Sequence, residues 1–385
     1  MKQAPPCVSI KLTDQSRSVA QDMRLKGGAM NTIYIGVDFH ARQQTICYLT
    51  TDTGEVQFLQ LQHHDKQAVR SVYAQFTGQV IVGLEASGYS PWFEQLLAEL
   101  GCEVWLGNAK EIRRRARSRH KNDRRDAELI LELMLHNEFP RLYVATVQSR
   151  EVLRMLRYRQ KLIKMRTMVK NSLQALALQS GLAKGSRLFS KAGLQELRCA
   201  PMSPAMQWQR EQWLQLLEGL NQRVLEVMQW LQQQSVNDPR LGRLRTHPGI
   251  GLLTALCLVH ALEPVKVRFR NARKVVGFAG LDPLEDSSAE RIRCGSISKA
   301  GPRVLRYLLG EAAHLSVKHD DELNRFYKRL VERRGKPKAK VAVTRKLLVR
   351  AYIMLRDEID YAEFKRRAVA ARLARQNSGT PCLCS

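Results

Sequence analysis

The sequence predicts an α/β amino-terminal domain built on a mixed sheet, then a long helical region, then a small, mainly α carboxy-terminal domain. Three observations lead there. Residues 33–40, IYIGVDFH, form a short apolar run that reads as a buried strand and ends in one acid, Asp38. Strand-like and helix-like segments then alternate to about residue 140. From about residue 147 the apolar residues change to helical spacing and keep it for most of the remaining chain.

The elements follow in order. Residues 33–40, 43–50 and 55–62 read as three strands joined by short links, with Asp52-Thr53-Gly54 as a turn. A helix is expected over 65–76 and a buried strand, QVIVGLEA, over 79–86. A helix opening at Pro91 closes at Gly101, and a strand, CEVWLGN, covers 102–108. A basic stretch precedes a helix over 123–137. The order β-β-β-α-β-α-β-α is that of the ribonuclease-H-like fold, whose first strand lies at the centre of its sheet.

Residues 147–180 and 203–234 carry apolar side chains at helical spacing, among them Val152, Leu156, Leu162, Ile163, Val169, Leu173 and Leu176. Two long helices across a Gly/Ser/Pro-bearing linker predict an antiparallel hairpin or coiled coil, a device for dimerisation or spacing. From His247 a Pro-Gly-Ile-Gly turn opens an apolar helix. It resembles a helix-hairpin-helix turn, in which backbone N–H groups around Gly249 and Gly251 hold a DNA phosphate. A short helix over 272–281, a loop or hairpin, and basic helices from about Pro302 to Tyr361 complete the pattern. The expected divisions are a disordered extension over 1–30, with translation starting at Met1, Met23 or Met30, then domains over 31–140, 141–240 and 241–360, and a disordered tail over 361–385.

Composition narrows the function. The 385 residues carry a formal net charge of +27, which calls for a polyanionic partner. No apolar run reaches membrane-spanning length, so a cytoplasmic, nucleoid-associated protein is expected, without membrane contact. The eight cysteines are scattered and contain no CxxC pair, which suits reduced thiols.

Four acids are placed to converge. Asp38 and Glu85 end two strands expected to be neighbours, and Asp123 and Asp126 sit three apart on one helix face. Carboxylates gathered in one place repel unless cations lie between them, and hard oxygen ligands select Mg²⁺ or Mn²⁺. Two such ions would promote phosphoryl transfer. Taken singly, each acid also reads as a solvated surface residue, and Asp123 as a helix cap. Residues 110–125, KEIRRRARSRHKNDRR, hold nine Lys or Arg against two acids and lead straight into the acids. Arg113, Arg114, Arg115, Arg117, Arg119, Lys121, Arg124 and Arg125 would hold a nucleic-acid strand there. His40 and His120 flank the acids, and packing or solvent accounts for them equally well.

The segments VDFH, GLEASGYSPWFEQLL and KNDRRDAELI resemble the DEDD motif of the insertion-sequence-110 family of transposases, which the related Piv-type DNA invertases share. HPGIGLLTALCL and FAGLDPLEDSSAERIRCGSISKAGPRVLRYLLGEAA resemble that family's carboxy-terminal transposase domain. The resemblance covers residues 33–357 and implies a RuvC-like catalytic domain, a coiled coil and a transposase domain. It also implies DNA recombination as a dimer or tetramer, with a structured bridge RNA guiding at least some members. The DEDD acids would be Asp38, Glu85, Asp123 and Asp126. The family's nucleophilic serine would be Ser288, with Ser287 as its rival, because this chain has Ser-Ala where the family has Ser-Gly. Arg291, Arg293, Lys299 and Arg303 around that serine would bind DNA phosphate. A Piv-type invertase, a junction nuclease that uses water, and an inactive nucleic-acid-binding protein are the competing readings.

Overall fold

A computed structural model describes residues 8–10, 32–50, 56–116, 122–182, 185–285 and 294–377. They fall into two compact units, Met1–Val144 and Ala145–Ser385.

The first unit is built on a six-stranded mixed sheet. Its strands are β1 (Val8–Ile10), β2 (Thr32–Phe39), β3 (Gln43–Thr50), β4 (Val56–Gln62), β5 (Gln79–Glu85) and β6 (Glu103–Gly107), in the order β1-β4-β3-β2-β5-β6. The hairpin strands pair antiparallel, whereas β2–β5 and β5–β6 pair parallel. The first strand of the predicted meander is therefore central, as expected. Its alternation decides what faces where. Ile33, Ile35, Val37 and Phe39 pack with Val80, Val82 and Leu84 of β5 beneath α1 (Lys66–Ala74) and α2 (Pro91–Glu99), against Val69, Tyr73, Phe93 and Leu97. The opposite face carries Tyr34, Gly36 and Asp38. It is covered by α4 (Asp123–Leu135), which follows the short α3 (Ala109–Arg115) and buries Ala127, Leu131 and Leu135 against Cys47, Leu49 and Phe58.

Gly36 and Gly83 stand side by side in the β2–β5 register on this α4 face. A Cβ at Gly36 would meet the Ala127 carbonyl and lie 2.6 Å from Leu131 N, and one at Gly83 would meet the Met134 sulfur. The missing side chain at Gly36 lets the helix backbone rest on the sheet, and the one at Gly83 makes room for the Met134 side chain.

In the second unit α5 (Val147–Gln179) and α7 (Pro204–Gln233) lie antiparallel: Arg159 Nε donates to Met228 Sδ at 3.0 Å, and Arg166 pairs with Asn221 at 3.5 Å, so the two helices run in opposite directions. Between them come a 3₁₀ turn, Gly185–Phe189, and α6 (Lys191–Cys199). The hairpin continues into α8 (Pro239–Arg245), α9 (Leu252–Leu262), α10 (Val265–Arg268) and α11 (Ala272–Phe278). Then follow the antiparallel pair β7 (Pro283–Glu285) and β8 (Cys294–Ile297), and α12 (Arg303–His319), α13 (Asp321–Arg334), α14 (Lys336–Asp357) and α15 (Tyr361–Asn377).

Three expected divisions change. The boundary near residue 240 does not separate two cores, because one continuous apolar core runs from Val152 and Leu173 through Leu256 to Leu348 and Tyr361. The tail expected to be disordered from 361 is helical to Asn377, anchored by Tyr361, whose hydroxyl reaches Asp320. Within the extension over 1–30, Val8–Ile10 pairs antiparallel with β4 as an edge strand. Among the described residues, no helix is long and apolar enough to cross a membrane.

Candidate metal centre

The site lies where β2 and β5 end. Because β2 and β5 run parallel with Val37 opposite Leu84, Asp38 and Glu85 emerge at the same level. Both lie two residues beyond the paired glycines and so point to the same face, towards the start of α4. Asn122 caps that helix, its side chain accepting from Arg124 N at 3.1 Å, so Asp123 is not the cap but the first residue of the first turn. Asp123 lies one turn before Ala127, which is buried against the sheet. A helix N-terminus also favours Asp123 and Asp126 electrostatically.

Asp38, Glu85 and Asp126 line one open cleft of about 670 Å³, with His40 and Arg113 beside them. Asp123 joins through His40, whose Nε2 is 3.1 Å from Asp38 Oδ2 and 3.7 Å from Asp123 Oδ1. Asp38 Oδ2 is buried, and among the described residues no donor reaches it with hydrogen-bond geometry. Burial pushes the Asp38 carboxyl up to about 6. The His40 imidazole opposes this, and the neighbouring Asp126 and Asp123 add to it. A desolvated carboxylate oxygen that faces further acids, with His40 Nε2 3.1 Å away, fits a divalent cation, which would reverse the cost of charging it. Glu85 meanwhile holds the exposed Arg113 at 3.3 Å.

Sequence reasoning did not find the second ring of contacts. Gln43 Nε2 donates to Asp123 Oδ2 at 3.3 Å, and Gln62 donates to Gln43 Oε1 at 3.2 Å, which fixes the amide's orientation. His40 N donates to Gln43 O at 3.0 Å, so the β2–β3 turn delivers both side chains to Asp123. The apolar strand pattern hid Gln43, since it stands at the start of β3 and far from Asp123 in sequence.

The remaining predicted contacts divide. Arg114 on α3 and Arg124 and Arg125 on the first turn of α4 are exposed, whereas Arg115 donates to the Glu138 carbonyl. Gly251 is exposed at the start of α9. Gly249 has φ +92, and a Cβ there would lie 2.5 Å from Ser316 N and 2.7 Å from Ala312 O, so its need for glycine is met by packing on α12. Arg303 is exposed as the first residue of α12, and the exposed Lys299 has φ 53 and donates its N–H to Gly280 O. Arg117, Arg119, His120, Lys121, Ser287, Ser288, Arg291 and Arg293 lie outside the described residues. Ser298, one of two other serines near this loop, donates to Asp282 Oδ1 at 2.6 Å, a turn contact.

Two family models match the chain in succession. A DEDD transposase model of the IS110 group matches residues 35–180, and the model described as Transposase IS116/IS110/IS902 family matches residues 241–328. The transposase for insertion sequence element IS1111A of Coxiella burnetii is 27% identical over 310 residues, which is 74% of this chain and 80% of that protein. A probable family 20 transposase of Pseudomonas aeruginosa is 27% identical over 279 residues, 69% of this chain and 81% of its own length. One family model covers the segment that bears the four acids, and the other follows it in the order of the sequence motifs. This chain accordingly belongs to the IS110 family of insertion-element transposases and is a DNA transposase.

Proposed function

We propose that the protein cuts and exchanges the strands of a mobile DNA element at a divalent-metal site held by Asp38, Glu85, Asp123 and Asp126 in a RuvC-like domain, through a serine–DNA intermediate. The observation that supports this most directly is the meeting of the acids at the shared end of β2 and β5, with a buried Asp38 oxygen that accepts no hydrogen bond among the described residues. A divalent ion bound there, Mg²⁺ or Mn²⁺ and as a pair in the two-ion arrangement, would supply Lewis acidity to the phosphoryl group.

The chain's own residues do the rest. Arg114, Arg124 and Arg125, with Arg113 once it leaves Glu85, neutralise phosphates and hold the strand against the acids. Ser288, or Ser287 beside it, is the nucleophile. Its oxygen bonds to phosphorus as the bond to the 3′ oxygen breaks, and its proton passes by way of a base to the departing 3′ oxygen, which leaves as a hydroxyl. Arg291, Arg293, Lys299 and Arg303 bind the phosphates around that serine, and the turn at Gly249 and Gly251 supports a further phosphate contact. The working assembly is a dimer or tetramer, and a structured bridge RNA selects the target and donor DNA.

The test is a suicide-substrate assay with Mg²⁺, the element's junction DNA and its flanking RNA. We expect a protein–DNA adduct that maps by mass spectrometry to Ser288, is lost in Ser288→Ala, and is absent from Asp38→Ala. An adduct lost only in Ser287→Ala moves the nucleophile by one residue. Cleavage with free ends and no adduct means a water-using nuclease instead.

A further inference from the structure

We infer that His40 is a direct nitrogen ligand of the first cation, completing an Asp38–His40–Asp123 site that takes Mn²⁺ in preference to Mg²⁺. This rests on the proposed metal reading of the acids and adds a ligand, and an ion choice, that four carboxylates alone do not imply.

Geometry supports it. His40 is the first residue past β2, and its imidazole reaches Asp38 and Asp123 on the face that α4 covers. The turn that ends β2 is closed by His40 N donating to Gln43 O at 3.0 Å, which sets the position of the imidazole. One ligand atom from each of Asp38, His40 and Asp123 lies within 4.8 Å of the other two. In an octahedral site with bonds of ~2.1 Å, adjacent ligand atoms stand ~3.0 Å apart and opposite ones ~4.2 Å. The separations of His40 Nε2 from the two carboxylates, 3.1 and 3.7 Å, fall between these values. Small side-chain rotations are enough to close the three around one ion.

The neighbours favour His40 for this place. Glu85 is engaged by Arg113 at 3.3 Å, and Asp123 is oriented by Gln43 at 3.3 Å. Asp38 offers the buried oxygen that stands 3.1 Å from His40 Nε2. His40 is about half exposed, so its ring gives up little solvent when it turns onto an ion. Ligation through Nε2 leaves the ring proton on Nδ1. The chemistry then selects the ion. Mg²⁺ keeps oxygen and water around it, whereas imidazole suits later first-row ions and Mn²⁺ lies above Mg²⁺ in nitrogen affinity.

The direct test is pulsed electron paramagnetic resonance on full-length protein loaded with Mn²⁺. A ligating imidazole couples its ¹⁴N to the manganese and modulates the echo. We expect this modulation in the wild type and its loss in His40→Gln with Mn²⁺ still bound. By titration, His40→Gln should weaken Mn²⁺ by ~10-fold or more, as losses at metal sites commonly do, while Mg²⁺ affinity changes much less. Nitrogen modulation absent from the wild type, or unchanged in His40→Gln, overturns the inference while leaving the carboxylate site intact. Failure of the wild type to bind Mn²⁺ at all overturns the metal reading itself. Should His40→Gln not fold, ¹⁵N-histidine labelling of the unmutated protein decides whether a histidine ligates: the ¹⁴N pattern must give way to a ¹⁵N one, or the inference is lost.

Discussion

Asp38 and Asp320 are both largely withdrawn from solvent, yet they are treated in opposite ways. Asp320 is 3% exposed and fully engaged: it caps α13 by accepting from Leu323 N at 2.8 Å, pairs with Arg350 at 2.9 Å, and receives the Tyr361 hydroxyl. Burial pushes its carboxyl up, but Tyr361, Leu323 and Arg350 outweigh it and hold it below the usual carboxylate range. Asp38 is raised to about 6, with two further acids nearby and one oxygen left without a hydrogen bond among the described residues. An acid satisfied from within holds a fold together. An acid left in deficit needs something that the chain does not carry.

Replacing each acid's environment should break this contrast in opposite directions. The largest effect expected is on catalysis by Asp38→Asn. Metal-dependent strand cleavage should fall by ~10³-fold, the scale of several kcal/mol of lost transition-state stabilisation. In chelator the variant should melt at the wild-type temperature or above it, because a desolvated charge has been removed. A strongly lowered melting temperature would show that Asp38 serves the fold instead. Arg350→Ala should do the reverse. It leaves Asp320 charged and unpaired in the core, which costs ~3–5 kcal/mol, measured by urea unfolding. The amino-terminal unit should keep its Mn²⁺ affinity. An unfolding midpoint within error of wild type would show that Tyr361 and Leu323 alone hold the carboxylate.

The smallest effect concerns acid stability of the second unit. His247 is buried with its ring 4.3 Å from that of Tyr361, and Nδ1 meets the Pro248 carbonyl at 2.9 Å. Burial drives it down to about 4, the Pro248 contact opposes this, and Arg350 pushes the same way as burial. A depressed folded value means that the unfolded chain takes up the proton first. Stability is full above ~6.5 and declines as the pH falls towards 4. Asp320, also depressed, adds to the loss at lower pH still. His247→Gln should flatten the slope of unfolding free energy between those limits. An unaltered slope would assign it to other groups.

What could be read from the sequence follows from how local the signal is. The four acids could be singled out because two end apolar strands and two share a helix turn, all local patterns, and the structure brings Asp38, Glu85 and Asp126 to one cleft. The central place of β2 was legible from the order of elements. Gln43 on Asp123, and the Asp320–Arg350–Tyr361 network, join residues separated by 80, 30 and 41 positions, for which a single sequence offers no register. The helix from Tyr361 was hidden because its charged residues mask an anchor of one ring and one hydroxyl. The division near residue 240 was misplaced because the apolar stripes of the long hairpin are the same stripes that cover α9. Whether a helix pair ends in itself or runs into a larger core is decided by shape, which periodicity does not encode.

Gly36 under α4 also acts as a gauge. Where most helices ride on a layer of interleaved side chains, this one meets the sheet directly at Gly36, through its Ala127–Leu131 backbone, so at that point its distance from β2 has no compressible filling. The span between carboxylates from two elements is thus set by van der Waals radii, among the stiffest lengths a protein can offer. Asp38 at the end of β2 and Asp123 at the start of the helix are thus mounted on either side of a spacer of zero thickness.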